Sequence, residues 1–285
     1  MVRADRIPPT LLVLAAVTSV QFGGAFAKTV FDEAGPGGTA FLRVLFAALV
    51  LAAVWRPTLA GRSRGDWRLI LAYGAALVAM NLSFYEALDR IPLGIAVTFE
   101  FVGPLGVAVA SSRRPLDLLW VGLAAAGIVL LSDFGTAALD TLGVGLALLA
   151  GGFWAAYILL AARVGRAYPG GQALALGMAV GAVLVAPVGL ADAGADLIDA
   201  EVLVIGLAVA ILSSAIPYTL ELEALRRMPQ GVFGVLMSLE PAAAALAGFI
   251  VLGEDLAARE LVAIALVVTA SAGAARHAGV PARDA

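Results

Sequence analysis

Apolar runs of about twenty residues recur along almost the whole chain, separated only by short segments rich in Gly, Pro, Asp and Arg. A run of about 20 residues is what an α-helix needs to cross the hydrocarbon core of a bilayer. Ten such spans are predicted, over residues 10–30, 37–55, 69–88, 93–111, 116–132, 142–162, 171–190, 202–224, 230–252 and 257–275. The composition rules out a soluble globule of this size: only 14% of the 285 residues are charged, against about 25% in a typical soluble domain. The N-terminal run reads as a retained first helix and not a signal peptide, because it continues to about Val30 and further spans follow at once. The chain is therefore expected to be an all-α integral membrane protein.

Charge predicts how the spans are oriented. With both termini on one side, fourteen of the eighteen basic residues fall on that side, among them Arg62, Arg113, Arg166, Arg226 and Arg227. Acidic loops such as DAGADLIDAE (192–201) fall on the other. The positive-inside rule then predicts cytoplasmic termini and a plasma (inner) membrane location. Cysteine is absent and the one histidine, His277, lies in the polar tail. No cofactor or metal site is expected, and intramembrane nucleophile–base chemistry has few candidate groups.

A repeat is hidden in the chain. YEALDRIPLG (85–94) and LEALRRMPQG (222–231) align without a gap at an offset of 137, and the same offset carries Pro104 onto Pro241. Five spans per copy is an odd number, so the second copy enters the membrane upside down. The expected organisation is two inverted five-helix repeats, residues 1–135 and 136–285. Inverted repeats are the usual architecture of secondary transporters, which open a central site alternately to the two sides.

These residues resemble the drug/metabolite transporter superfamily, specifically chains with two EamA-type halves, and within it most closely the threonine/homoserine exporter group. The resemblance is carried by FGGAFAK (22–28), RIPLGIAVTFEFVGPL (90–105), SSRRPLD (111–117), LAVAILSSAIPYTLE (207–221) and SLEPAAAALAG (238–248). It implies a ten-helix bundle with a central cavity and export of small metabolites such as threonine or homoserine.

The few polar residues inside the spans are the candidate solute site, because a charge at the bilayer centre costs on the order of 2.5–3.5 kcal/mol and should face the interior. Glu100 reads either as one half of a buried ion pair with Arg43 or as a proton acceptor or ligand for a solute ammonium. Counted along their spans at 1.5 Å per residue, Glu100 and Arg43 reach similar depths, about 10–12 Å below the outer boundary. Lys28, the lone lysine beside seventeen arginines, offers a compact ammonium for a solute carboxylate or snorkels to the outer interface. Glu240 precedes Pro241, and Pro104 and Pro241 are predicted helix breaks at corresponding repeat positions, where transport sites form. Asn81, Tyr85, Trp154, Tyr157 and Tyr218 are candidate lining, as an aromatic box or as ordinary packing. Glu86, Glu221 and Glu223 read as solvated or gate-lining near span ends. Small residues four apart, such as Gly143, Ala147, Gly151 and Ala155, predict close helix contacts.

The function expected is a secondary transporter exporting small polar metabolites, most directly amino acids, by alternating access. Proton antiport and facilitated exit both remain open. The alternatives are a non-transporting receptor or scaffold, or an exporter of a different metabolite or drug. An enzyme is not expected, nor a nucleic-acid partner. The predicted partners are a small-molecule solute, protons where transport runs uphill, and the lipid bilayer, for a monomer or homodimer.

Overall fold

The computed structural model describes residues 7–28, 31–91, 93–111, 115–131, 140–240, 242–243 and 258–278. Twelve α-helices lie in these residues: α1 (Pro9–Lys28), α2 (Phe31–Trp55), α3 (Arg64–Leu88), α4 (Leu93–Glu100), α5 (Val102–Ser111), α6 (Pro115–Leu131), α7 (Thr141–Ala167), α8 (Gln172–Ala193), α9 (Ala200–Ala210), α10 (Ile216–Arg227), α11 (Gln230–Met237) and α12 (Ala258–Ala278). No strand occurs among the described residues. Five helical segments there are long and apolar enough to cross a membrane, namely Glu33–Trp55, Arg64–Leu88, Thr141–Ala167, Gln172–Ala193 and Ala200–Arg227. Shorter apolar helices accompany them, including Val102–Ser111 and Pro115–Leu130.

Local sequence sets the helix ends. Ser63 and Asp66 close a capping box at the start of α3, and Asp140 and Asp199 accept the first backbone N–H groups of α7 and α9. In α2 the chain turns at Gly35, whose φ of 65° lies in the left-handed region that favours glycine. The Asp192 carboxylate then accepts the Gly37 N–H at 3.0 Å.

Among the described residues three predicted spans are interrupted, each just before a proline; in the ninth, α11 ends at Met237 and the chain turns at Ser238. The fourth divides into α4 and α5 at Phe101, three residues ahead of Pro104. Proline lacks an N–H and its ring clashes with the carbonyl four residues back, so the Glu100 carbonyl has no helical donor. The eighth span keeps its length but passes through a π turn, Ile211–Ala215, immediately before Ile216 and Pro217. Pro241 lies outside the described residues.

The packing is reciprocal. Helices α2 and α8 run antiparallel: Gly37 meets Asp192 and Val188, Phe41 meets Gly189, and Val44 meets Gly181. Helices α6 and α12 also run antiparallel, with Trp120 over Gly273 and Gly127 against Ala263 and Val267. Helix α3 lies along α7, joined through Tyr73 and Tyr157, while α1 lies along the π turn and α10, where Ser19 donates to the Leu212 carbonyl. The 137-residue offset carries α1 onto α7, α2 onto α8, α3 onto α9–α10 and α6 onto α12. Helices α2 and α6 therefore each pack head to tail against the segment corresponding to themselves.

Small residues allow these approaches. A Cβ at Gly103 would meet the Gly151 carbonyl oxygen, one at Gly151 would sit 2.5 Å from the Glu100 carbonyl oxygen, and one at Gly177 would meet the Tyr73 ring. The outer faces of the spans carry exposed aliphatics such as Leu49, Leu71, Val102, Val183, Val204 and Val262, as lipid contact requires.

Substituting Gly103→Val should destabilise the protein by about 1–3 kcal/mol through overpacking against α7. Gly152→Ala, with open space around the new Cβ, should be neutral or stabilising by roughly 0.5–1 kcal/mol. Melting curves of the two variants in detergent micelles check the contrast.

Candidate functional site

Arg43 of α2 is the centre of the polar interior. It is 8% exposed and donates to four acceptors: Nε to Ser214 Oγ at 2.7 Å, NH1 to Tyr85 Oη at 3.0 Å, and NH2 to the Ser213 carbonyl at 2.6 Å and Tyr218 Oη at 3.3 Å. The Tyr85 and Tyr218 rings flank the guanidinium, with its carbon 5.8 and 5.9 Å from their centroids, a distance at which cation–π attraction operates. The acceptors exist for a backbone reason. In an unbroken α-helix the Ser213 carbonyl would accept from residue 217, but Pro217 has no N–H to give. The π turn releases that carbonyl to Arg43 and places the Ser214 hydroxyl beside it.

Tyr218 links Arg43 to the rest of the site. The Asn81 side-chain amide donates to Tyr218 Oη at 3.1 Å and to the Leu77 carbonyl at 2.8 Å. Asn81 and Tyr218 are separated by 137 residues, the repeat offset, so two corresponding positions touch each other. The Tyr218 ring packs 5.4 Å from Tyr157, and Tyr157 stacks 5.7 Å from Tyr73. Tyr157 Oη donates at 2.9 Å to the Glu221 carboxylate, which is 2% exposed.

Two further carboxylates converge on this cluster. Glu100, 7% exposed, lies within electrostatic reach of Arg43. Half-buried Glu240 lies within reach of Glu100, Glu221 and Arg43. One guanidinium thus faces three carboxylates, yet among the described residues no ion pair joins them. The described residues instead pair as Arg90–Asp140, Arg226–Glu223 and Arg227–Glu223.

Of the two readings of Glu100, this sets aside the buried ion pair with Arg43. The two groups share a neighbourhood, but the tyrosine and serine oxygens of α3, the π turn and α10 occupy the guanidinium first. Glu221 is a second correction: it is buried beneath Tyr157 and not solvated. Of the predicted lining residues, Asn81, Tyr85, Tyr157 and Tyr218 come together with Arg43, Glu100 and Glu240. Trp154 packs edge-on against Phe101 at 4.8 Å, beside the broken turn after Glu100. Pro104 is buried in the first turn of α5, and Gly234 of α11 packs against its carbonyl. Lys28 ends α1, and its side chain lies outside the described residues. Sequence reasoning missed Tyr73, Ser213 and Ser214. The Ser213–Pro217 spacing carried a signal for the serines, since a proline four residues on frees a carbonyl.

The arginine-rich end of the bundle is cross-tied. Arg226 donates to the carbonyls of Gly165, Tyr168 and Gly170 and pairs with Glu223 at 2.7 Å. Arg227 reaches the Ile7 carbonyl at 3.0 Å. Tyr168, outside the spanning segments, donates to Asp66, and burial together with that carboxylate pushes its hydroxyl up to about 12. Arg62 stacks on the Tyr168 ring and donates to Gln172. A groove of about 410 Å³ between α5 and α7 lies apart from the ionic cluster, lined by apolar and small residues including Val102, Gly106, Leu148 and Leu159.

Among the described residues no group of His, Cys, Asp or Glu has the arrangement of a metal site. What the cluster offers is hydrogen bonding and charge: three carboxyl groups, a fixed cation and an aromatic wall.

The sequence matches the EamA-like transporter family over residues 8–133 and again over 141–275. The threonine/homoserine exporters RhtA of Salmonella typhimurium (strain LT2) and of Escherichia coli (strain K12) are each 42% identical over 267 residues, covering 93% of this chain and 90% of theirs. A solved crystal structure shares the fold with a TM-score of 0.81 over 95% of this chain and 97% of that one, at 19% identity.

Tyr157→Phe should destabilise the protein by about 1–3 kcal/mol, because the buried Glu221 carboxylate loses its hydroxyl donor. Phe101→Leu, which leaves that bond intact, should act through packing alone. A double-mutant cycle of Tyr157→Phe with Glu221→Gln, read from melting curves, should return a coupling energy; additive losses would remove the bond from the account.

Proposed function

As the chain belongs to the EamA-like transporter family, we propose that it exports small polar amino acids, threonine and homoserine first among them, through the site centred on Arg43. It is a multi-pass membrane transporter and not an enzyme. The observation that carries the site assignment is Glu100: a carboxylate buried in a spanning segment, within reach of Arg43, with no hydrogen-bond partner among the described residues. A charge in that position is costly unless something else meets it, and the ammonium of an amino acid is a fitting partner. Arg43 and the Tyr85 hydroxyl supply positive potential and a polar group for the opposite end of the solute. The relatives' names support threonine and homoserine as the first solutes to test.

The wider architecture in this reading is ten spanning helices in two inverted five-helix repeats, 1–135 and 136–285. Support comes from the head-to-tail packing of α2 on α8 and of α6 on α12, and from the contact between Asn81 and Tyr218. Corresponding residues can touch only where an axis relating the two halves passes between them. The positive-inside rule makes the arginine-rich end cytoplasmic, with both termini there in the inner membrane. The Arg226 cross-ties then close the cytoplasmic mouth in this conformation, and alternating access requires them to break. Pro104 and Pro241 are the helix breaks about which the halves bend, and Trp154, Tyr157 and Lys28 complete the lining. The functional unit is a monomer or homodimer.

Proton antiport supplies the energy in this scheme. One proton crossing 100 mV provides about 2.3 kcal/mol, enough for a concentration ratio of roughly fortyfold. A single carboxylate that alternates between proton and solute meets that need, and Glu100 is assigned the role.

Counterflow in proteoliposomes, run over a panel of amino acids with and without a pH gradient, tests the reading. Saturable exchange of threonine or homoserine is expected, with accumulation only when the gradient is present. Glu100→Gln should abolish accumulation, and unchanged uphill transport at normal protein levels would remove Glu100 from the mechanism. Arg226→Ala should raise labelling of a single cysteine placed near the cytoplasmic mouth; the chain has no cysteine of its own to interfere.

A further inference from the structure

We propose that this site recognises its solute by the ammonium group and does not require a carboxylate, so that small primary amines such as amino alcohols and amino-acid esters belong to its substrate class. The inference rests on reading the Arg43 cluster as the solute site, and it follows from counting donors and acceptors there.

A guanidinium holds a carboxylate well through two parallel N–H bonds, offered either by Nε with one terminal nitrogen or by the two terminal nitrogens together. Both edges of Arg43 are taken. Nε–H is committed to Ser214 Oγ, and the two N–H groups of NH2 are committed to the Ser213 carbonyl and Tyr218 Oη. NH1 gives one of its two hydrogens to Tyr85 Oη. Four of the five donors are therefore used by the protein, and neither edge retains a free pair. These are not incidental contacts: the Ser213 carbonyl is available because Pro217 cannot bond it, and the rings of Tyr85 and Tyr218 flank the guanidinium. Accepting a substrate carboxylate in two-pronged fashion would require dismantling this cage. Arg43 acts as a fixed charge that sets the potential of the site.

The acceptors show the opposite balance. Glu221 is served by Tyr157, whereas Glu100 and Glu240 accept no hydrogen bond from any described residue. An ionised carboxylate is acceptor-only, with about four lone-pair positions. The nearby guanidinium is spent, so buried Glu100 and half-buried Glu240 lie beside it with no donor among the described residues. A primary ammonium carries three N–H donors and no acceptor, which complements this arrangement; a carboxylate would add acceptors where acceptors are already in excess.

A competition panel decides the matter. The full-length protein in proteoliposomes exchanges labelled L-threonine in counterflow without a pH gradient, against four compounds. L-Threoninol and L-threonine methyl ester keep the ammonium and lack the free carboxylate; N-acetyl-L-threonine and 2,3-dihydroxybutyrate keep the carboxylate and lack the ammonium. The first pair should inhibit at concentrations within about tenfold of L-threonine itself, and the second pair should need at least about a hundredfold more, because a site built around a hydrogen-bonding group rejects analogues without it. Inhibition by the carboxylate pair, or none by L-threoninol, overturns the inference. A second measurement separates it from the threonine reading. L-Threoninol should raise the melting temperature of the purified wild-type protein and leave that of Glu100→Gln unchanged. If L-threonine shows no exchange but L-threoninol gives this Glu100-dependent shift, the threonine reading fails and the ammonium inference stands. If neither ammonium compound shifts the wild-type protein, the inference fails.

Discussion

A backbone carbonyl inside a membrane must find a donor within the protein, and two prolines in this chain deny that donor at chosen points. Pro104 strips the Glu100 carbonyl of its helical partner, and Pro217 does the same for Ser213. The consequences differ. The Glu100 carbonyl packs closely on the backbone of Gly151, where a Cβ would sit 2.5 Å from the oxygen. The Ser213 carbonyl is met by Arg43 at 2.6 Å. In both places a break in regular helix coincides with an intramembrane charge, so the cost of one irregularity is partly offset by the group that answers it.

That coupling explains why the polar interior is so compact. Arg43 can lie buried because α3, the π turn and α10 each present it with an oxygen. Its position then sets the potential felt by Glu100, Glu221 and Glu240. The tyrosine stack of Tyr73, Tyr157 and Tyr218 joins this centre to Glu221 and runs along the contact between α3 and α7. Small residues at those contacts keep the helix backbones close, and larger ones would push the charges apart. Stability and the placement of the buried charges therefore share the same atoms.

The arginine-rich end obeys a different rule. There water is near, backbone carbonyls at the helix ends lack partners, and Arg226 gathers three of them together with Glu223. Such ties exchange readily with water at a modest net cost. The buried centre is thus a dry, fixed network and the arginine-rich end a more exposed, exchangeable one.

How much of this was legible beforehand follows from the range of the forces involved. Helical spans, their small-residue faces and the burial of Arg43, Glu100, Asn81, Tyr85, Tyr157 and Tyr218 could be read from the sequence, because hydropathy and the cost of a charge in lipid act residue by residue. The 137-residue offset could be read because it is a property of spacing. The partners of Arg43 could not, since Tyr85, Ser213, Ser214 and Tyr218 lie 42 to 175 residues away along the chain. Equal depth in the membrane suggested Glu100 as the partner, but depth leaves rotation about the helix axis undetermined. Glu221 was misplaced for the same reason: its distance from a span end was known, and the face it turns inward was not. Sequence alone determined which groups had to be hidden from lipid; only the packing of the helices decided which of those hidden groups would meet.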